Sequence, residues 1–314
     1  MGWAGGGVAG GQLELAWIRT DWTMKISTAN ALMMSWQIRM SQKTMRWLKE
    51  LLPGPTGWIS AYRFRLKCRK QFLEFQTKFA EAVYGREPVR VLGGPFVGMA
   101  YFNEVVWGAI TPKWLGSYEE ELYEVIVREI MGGDYKVIFD VGAAEGYYAV
   151  GLARACPSAI VYSFDIDPYA RKLQHKLSTI NNVRNLRIGK RCTHYEMSRF
   201  ITDRCLIISD IEGFEYELLD PEKANCLTCC DLLVEVHGYN GLTAGQVQQK
   251  LCQRFASTHR QSIISSRARD ASDYERICGG RVDIGTLSRA LEEYRGFQQN
   301  WLWLKAICSP MDNF

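Results

Sequence analysis

Residues 136–148, KVIFDVGAAEGYY, constrain the chain more than any other stretch. Val137, Ile138 and Phe139 form a short β-branched and aromatic run, the composition of a strand buried in a parallel sheet. Asp140 follows, then the small residues Gly142, Ala143 and Ala144, then Gly146 and a helical pattern. With so little side-chain bulk past the strand, a ligand can approach the main chain and the N-terminus of the next helix. In open α/β sheets this crevice is where ligands bind. The spacing is not the Gly-x-Gly-x-x-Gly dinucleotide fingerprint, and no Lys-Ser or Lys-Thr follows as in a phosphate loop. Acids at Asp140 and Glu145 disfavour a phosphate and suit a cationic or phosphate-free ligand. A tight strand-to-helix turn with no ligand is the alternative.

The segment AIVYSFDIDP reads as a second strand ending in Asp165 and Asp167. Asp165 lies about 20 residues past the glycine turn, where a carboxylate can accept hydrogen bonds from a ribose diol. Strand, small-residue turn, helix, strand, acid is the nucleoside-binding half of a doubly wound fold. On these residues the sequence resembles the class I S-adenosylmethionine (SAM)-dependent methyltransferases. Further on, CLIISDIEGFEYELL (205–219) is similar to the Asp-Val-Glu-Gly-x-Glu signature of the FkbM-like members. FDIDP (164–168) stands where those proteins have a Phe-Glu-Pro-like segment, with Asp165 in place of the commoner Glu. The resemblance covers residues 115–310 and is densest at 137–147, 161–168 and 207–219.

The resemblance implies an α/β fold: a Rossmann-like doubly wound seven-stranded sheet of order 3-2-1-4-5-7-6 with the last strand antiparallel. It implies SAM as cofactor. Its amino acid part would meet the first loop, at Asp140, Gly142, Ala143, Glu145, Gly146 and Tyr147. Asp165 would hold the ribose, with Ile166 beside it. Asp210 and Glu212, after the fourth strand, would lie by the methyl group. The fifth strand, DLLVEVHG, carries Glu235 and His237 to the same edge, since residues two apart point the same way.

The chain of 314 residues divides into a glycine-rich leader (1–23), a helical extension with a β-hairpin (24–113) and the methyltransferase domain (114–314). The leader cannot pack a core, and Met24 is an alternative start. Residues 58–84 place Ile59, Tyr62, Leu66, Phe72, Phe75, Phe79 and Val83 at helical spacing, opposite a basic face containing Arg63, Arg65, Lys67, Arg69, Lys70 and Lys78. That face is either solvated or turned to an anionic partner or a membrane surface. VRVL and FVGMAYF, separated at Gly93-Gly94-Pro95, read as the hairpin. Residues 114–131 read as one helix capped by Ser117, with Tyr118 and Glu119 on the rim of the active site or serving the helix dipole.

A net charge of +4 makes no case for a nucleic-acid partner. Ten cysteines without a secretory signal read as reduced thiols in a cytoplasm. Cys226, Cys229 and Cys230 have no second pair at zinc spacing and read as packed thiols. No apolar run is long enough for a transmembrane segment.

The expected activity is therefore SAM-dependent O-methylation of a small-molecule or glycan acceptor, at a hydroxyl of a sugar or secondary metabolite. His237 or Asp210 would act as general base, Glu235 would face the acceptor, and the polar insertion at 267–299 would contribute to its recognition. No metal is expected. A non-catalytic SAM-binding or scaffolding protein of the same fold is the alternative. A nicotinamide oxidoreductase is disfavoured by the missing glycine fingerprint.

Overall fold

The computed structural model describes residues 72–106, 109–201, 204–295 and 299–307. The expectations for the leader, for the alternative start and for the basic face before residue 72 lie outside the described residues. Seven strands form one sheet: β1 (Val137–Val141), β2 (Ile160–Phe164), β3 (Leu186–Gly189), β4 (Cys205–Ser209), β5 (Asp231–Glu235), β6 (His259–Ser265) and β7 (Asn300–Ala306). Their order is β3-β2-β1-β4-β5-β7-β6, as expected. The first five strands are parallel, and β7 runs antiparallel to both β5 and β6.

β1, β4 and β5 are buried at every position, which is why they read as continuous apolar runs rather than alternating ones. Alternate residues still serve different faces. Ile138, Leu206 and Leu233 enter one core with helices α3 (Tyr147–Ala155) and α4 (Pro168–Ile180). Val137, Phe139 and Val141 enter the other, with Val247 and Leu251 of a helix spanning Ala244–Arg254. Val141 pairs with both Phe164 and Ser209, so β1, β2 and β4 end level with one another. The loops that follow them leave from a single edge.

The segment before the sheet belongs to the first core. Helix α1 (72–84) buries Phe72, Phe79 and Val83, as its spacing predicts. Residues 89–91 and 99–101 pair antiparallel through one bridge, Arg90 to Ala100. Helix α2 (Thr111–Leu115) buries Trp114 completely, and the boundary expected between 113 and 114 falls inside it.

The single helix expected over 114–131 is three pieces: the end of α2, a 3-10 turn at Glu120–Leu122 and a π-helical stretch at Val125–Met131. Gly116, at φ 76°, ends α2 against the turn at Gly93; a Cβ on it would stand 2.0 Å from the Gly93 carbonyl oxygen. Ser117 does not cap a helix but turns its hydroxyl back to the Pro112 carbonyl. Backbone docking overrides helical periodicity here.

Phe139 is fully buried and stacked against Tyr162 and Phe164, at centroid distances of 5.3 and 5.7 Å. Phe139→Ala should cost about 3–5 kcal/mol of stability in urea denaturation, the range for truncating a core aromatic. A loss below about 1 kcal/mol would mean that the second core is loosely packed there.

Candidate active site

The loop after β1 is shaped by close backbone approach. Gly142 has φ 89°, and a Cβ on it would lie 1.8 Å from the Asp210 carbonyl oxygen, so no side chain fits. The Asp210 amide donates to the Val141 carbonyl (2.9 Å), which ties the ends of β1 and β4 together. Gly146, at φ 99°, precedes α3 without a side-chain cap of its own, and the Ala149 amide of the first turn donates to Asp140. Gln174 of α4 steadies the loop from behind: its amide donates to the Ala144 carbonyl (2.8 Å) and accepts from Ser163 (2.6 Å).

Asp165 stands beside this loop. One carboxylate oxygen accepts from the Ala144 amide (2.9 Å) and the other from the Asp167 amide (2.8 Å). Each oxygen keeps a further lone pair for a ligand. Ile166, next to it, is 72% exposed, an unusual position for so apolar a side chain. Asp140 and Tyr147 are buried, and Asp140 Oδ2 and the Tyr147 hydroxyl have no hydrogen-bond partner. Buried polar atoms are rarely left so, and at a strand edge this pattern fits a ligand site.

Glu145 and Glu119 are both held by buried partners. Glu145 is fully buried and takes hydrogen bonds from Tyr101 (3.1 Å), the Val106 amide (3.4 Å) and Lys113, so it anchors the loop from beneath. Glu119 is buried too, accepting from Tyr148 and pairing with Arg295, both at 2.5 Å. Tyr118 is half-buried against Tyr147, with ring centroids 5.5 Å apart.

At the other half of the edge, His237 gathers carboxylates. Its Nδ1 is 3.0 Å from Glu215 Oε1, and its Nε2 lies 3.8 Å from Asp210, 3.6 Å from Glu212 and 3.5 Å from Glu235. Burial works against a charged imidazole, but the hydrogen bond to Glu215 and the charges of Asp210 and Glu235 outweigh it and hold the ring up to about 10. His237 therefore carries two protons at neutral pH. Glu235 is shared between His237 and Arg295, whose Nη1 donates to it at 2.8 Å.

The acids and histidine picked out from the sequence thus fall into two groups on one edge, Asp140 with Asp165, and Asp210 with Glu212, Glu235 and His237. The close approach of Gly142 and Asp210 joins them. Sequence reasoning passed over Glu215, although it is the last acid of the Asp-Ile-Glu-Gly-Phe-Glu segment. Its two oxygens accept from the Ile211 and Gly213 amides, at 2.9 and 3.0 Å, and so shape the loop after β4. Lys113, Gln174, Arg269 and Arg295 were passed over as well, and no motif marks them. His194 is held at the Leu218 carbonyl (2.9 Å), away from this cluster's contacts.

No protein-family model matches the chain, and no curated protein matches it. Among solved structures it is similar to a candidate O-methyltransferase from Klebsiella pneumoniae, with TM-score 0.39 and 10% identity over 60% of this chain and 80% of that one. M. jannaschii TYW2 in complex with AdoMet gives TM-score 0.37 and 12% identity, covering 61% of this chain and 76% of that one. An rRNA methylase from Streptococcus thermophilus gives TM-score 0.37 and 9% identity, covering 57% and 94%. At such scores and identities, none of these likenesses identifies a cofactor or a substrate for this chain.

Burial pushes the Asp140 carboxyl up to about 7 from an ordinary 3.8. A raised carboxyl pKa favours the folded state in acid, and that advantage is lost as pH rises through 7. Relative to Asp140→Asn, the unsubstituted protein should lose up to about 4 kcal/mol of stability between pH 4 and pH 8. Urea denaturation of both proteins across that range measures it, and parallel profiles would mean that Asp140 is ionised throughout.

Proposed function

We propose that this chain is a SAM-dependent methyltransferase, FkbM-like in its motifs, that methylates a hydroxyl of a sugar or another small-molecule or glycan acceptor. The observation that carries this reading is the shared sheet edge. A glycine loop closed to side chains, a ribose-competent Asp165 and the carboxylates around His237 leave the C-terminal ends of β1, β2, β4 and β5 together.

The residues present fit the cofactor. Asp140 Oδ2 and the Tyr147 hydroxyl, buried and without partners, would take its amino acid part at the start of α3. Asp165 would accept from the ribose hydroxyls, and exposed Ile166 would cover the adjoining base. When bound, SAM would supply an electrophilic methyl group for the acceptor oxygen.

This chain's own part is to hold the acceptor hydroxyl and take its proton. Asp210 is the better base, because His237 already carries its proton at neutral pH. His237 then donates a hydrogen bond that orients the acceptor. Arg295 fixes Glu235, and the segment 267–299 that carries Arg295 shapes the acceptor end.

Calorimetric titration with SAM and S-adenosylhomocysteine tests the cofactor, with NADH as the control. Both adenosyl compounds should bind at micromolar levels, and Asp165→Ala should weaken SAM by about 1–3 kcal/mol, the loss of charge-assisted hydrogen bonds. Unchanged affinity in a folded variant would remove Asp165 from the ribose. With labelled SAM and hydroxylated acceptors, His237→Ala should lower methyl transfer by about 100-fold while SAM affinity stays the same. SAM binding without transfer to any acceptor would favour a binding protein of the same fold.

A further inference from the structure

We propose that Asp210, Glu215 and His237 form a divalent-cation site, with Glu212 and Glu235 at its margin. Each of the three offers one ligand atom, and these atoms all lie within 4.8 Å of one another. The imidazole separates the cluster from an ordinary acidic surface. It is a nitrogen donor, 10% exposed, at the meeting point of carboxylates from the loop after β4 and from the end of β5. Mixed imidazole and carboxylate donors suit the first-row divalent cations.

The spacing fits one ion. Ligand atoms that share an ion at about 2.0–2.2 Å stand about 3–3.5 Å from one another. The Asp210, Glu215 and His237 atoms lie within 4.8 Å of one another, so closure on one ion needs about an ångström, and Glu212 and Glu235 stand at the margin, 3.6 and 3.5 Å from His237 Nε2. The frame around the site is rigid. Glu215 is fully buried and braced by the Ile211 and Gly213 amides, and its Oε2, which takes only the Gly213 amide, keeps a lone pair for the ion.

Charge points the same way. Four carboxylates surround one imidazole, and Arg295, which reaches Glu235, divides its charge with Glu119 and Glu293. Even with the imidazole protonated, negative charge is in excess. A divalent cation corrects this, displacing the imidazole proton to solvent as it binds. At this edge it would hold the acceptor oxygen and lower the pKa of its hydroxyl, in place of the hydrogen bond from His237 and the base at Asp210. That last role rests on the transferase reading; the binding of the cation does not.

The test is titration of the full-length chain with Mn²⁺, without SAM, followed by electron paramagnetic resonance. One equivalent should bind, and pulsed measurements should show nitrogen coupling from an imidazole. The chain has four histidines. His175 is exposed on α4, His194 is engaged at the Leu218 carbonyl, and His259 at Thr258 and the Cys230 carbonyl, so none of them belongs to the cluster and the coupling should vanish in His237→Gln. Asp210→Asn should weaken binding by at least about tenfold. Glu129→Gln, at a surface acid paired with Lys305, should leave it unchanged.

Absence of binding overturns the proposal. So does Mn²⁺ that binds without nitrogen coupling, or equally well to all variants, as loose surface acids would hold it. If the variants fail to fold, the coupling in the unsubstituted protein decides alone. SAM binding without Mn²⁺ binding sinks the cation site only. Mn²⁺ binding without SAM binding leaves the site standing and sinks the transferase reading.

Discussion

The carbonyl oxygen of Asp210 lies where a side chain at position 142 would have to begin. This contact makes one site out of two loops. A bulkier residue at 142 would push the loops after β1 and β4 apart, separating Asp140 and Asp165 from the cluster at His237. Glycine there accepts both the close approach and the positive φ. The β-ladder sets up the contact, because Val141 and Ser209 are register partners and end their strands level.

Around that contact the loops are held by buried charge rather than by apolar packing. Lys113 and Tyr101 hold Glu145 under the first loop. Arg269 joins Glu121 to Glu293, and Arg295 joins Glu119, Glu235 and Glu293, so residues 269–295 are stitched to Glu119 and Glu121 and to the end of β5. Desolvating such ions offsets much of their mutual attraction, so their net stabilisation is small. Removing one partner is another matter, since it leaves a buried charge uncompensated at a cost of about 3–5 kcal/mol. Networks of this kind specify where a loop sits more than they stabilise the fold. Here they determine the placement of Glu235, and with it one wall of the histidine cluster.

Much of the fold was legible because its signals are local. The strands are short β-branched runs bounded by turn residues, and the four read at 137, 159, 205 and 231 begin within a residue of β1, β2, β4 and β5. Helix α4 is announced by Asp167 and Pro168, a side-chain cap followed by a residue suited to the first turn. The reading failed at 114–131, where helical spacing continues across Gly116 but the backbone cannot, because the Gly93 turn is docked against it. A non-local contact decided that segment, and no pattern within it carries the information.

The candidate site divides in the same way. The acids at strand ends could be chosen from the sequence, because position along a strand determines which edge a residue occupies. Charge states and partners could not, because both depend on what stands across space. His237 or Asp210 was read as the base, and Glu215 with the neighbouring acids favours the charged form of the histidine. Arg295 is 60 residues from Glu235 in the chain and touches it at 2.8 Å. By itself, then, the sequence determined the strands, the glycine turn and the acids carried to one edge, since each follows from short-range backbone geometry and side-chain alternation. Only the tertiary structure decided which of those acids surround the imidazole and which are tied up beneath the loops, because Coulomb and hydrogen-bond energies depend on distances between residues far apart in the chain.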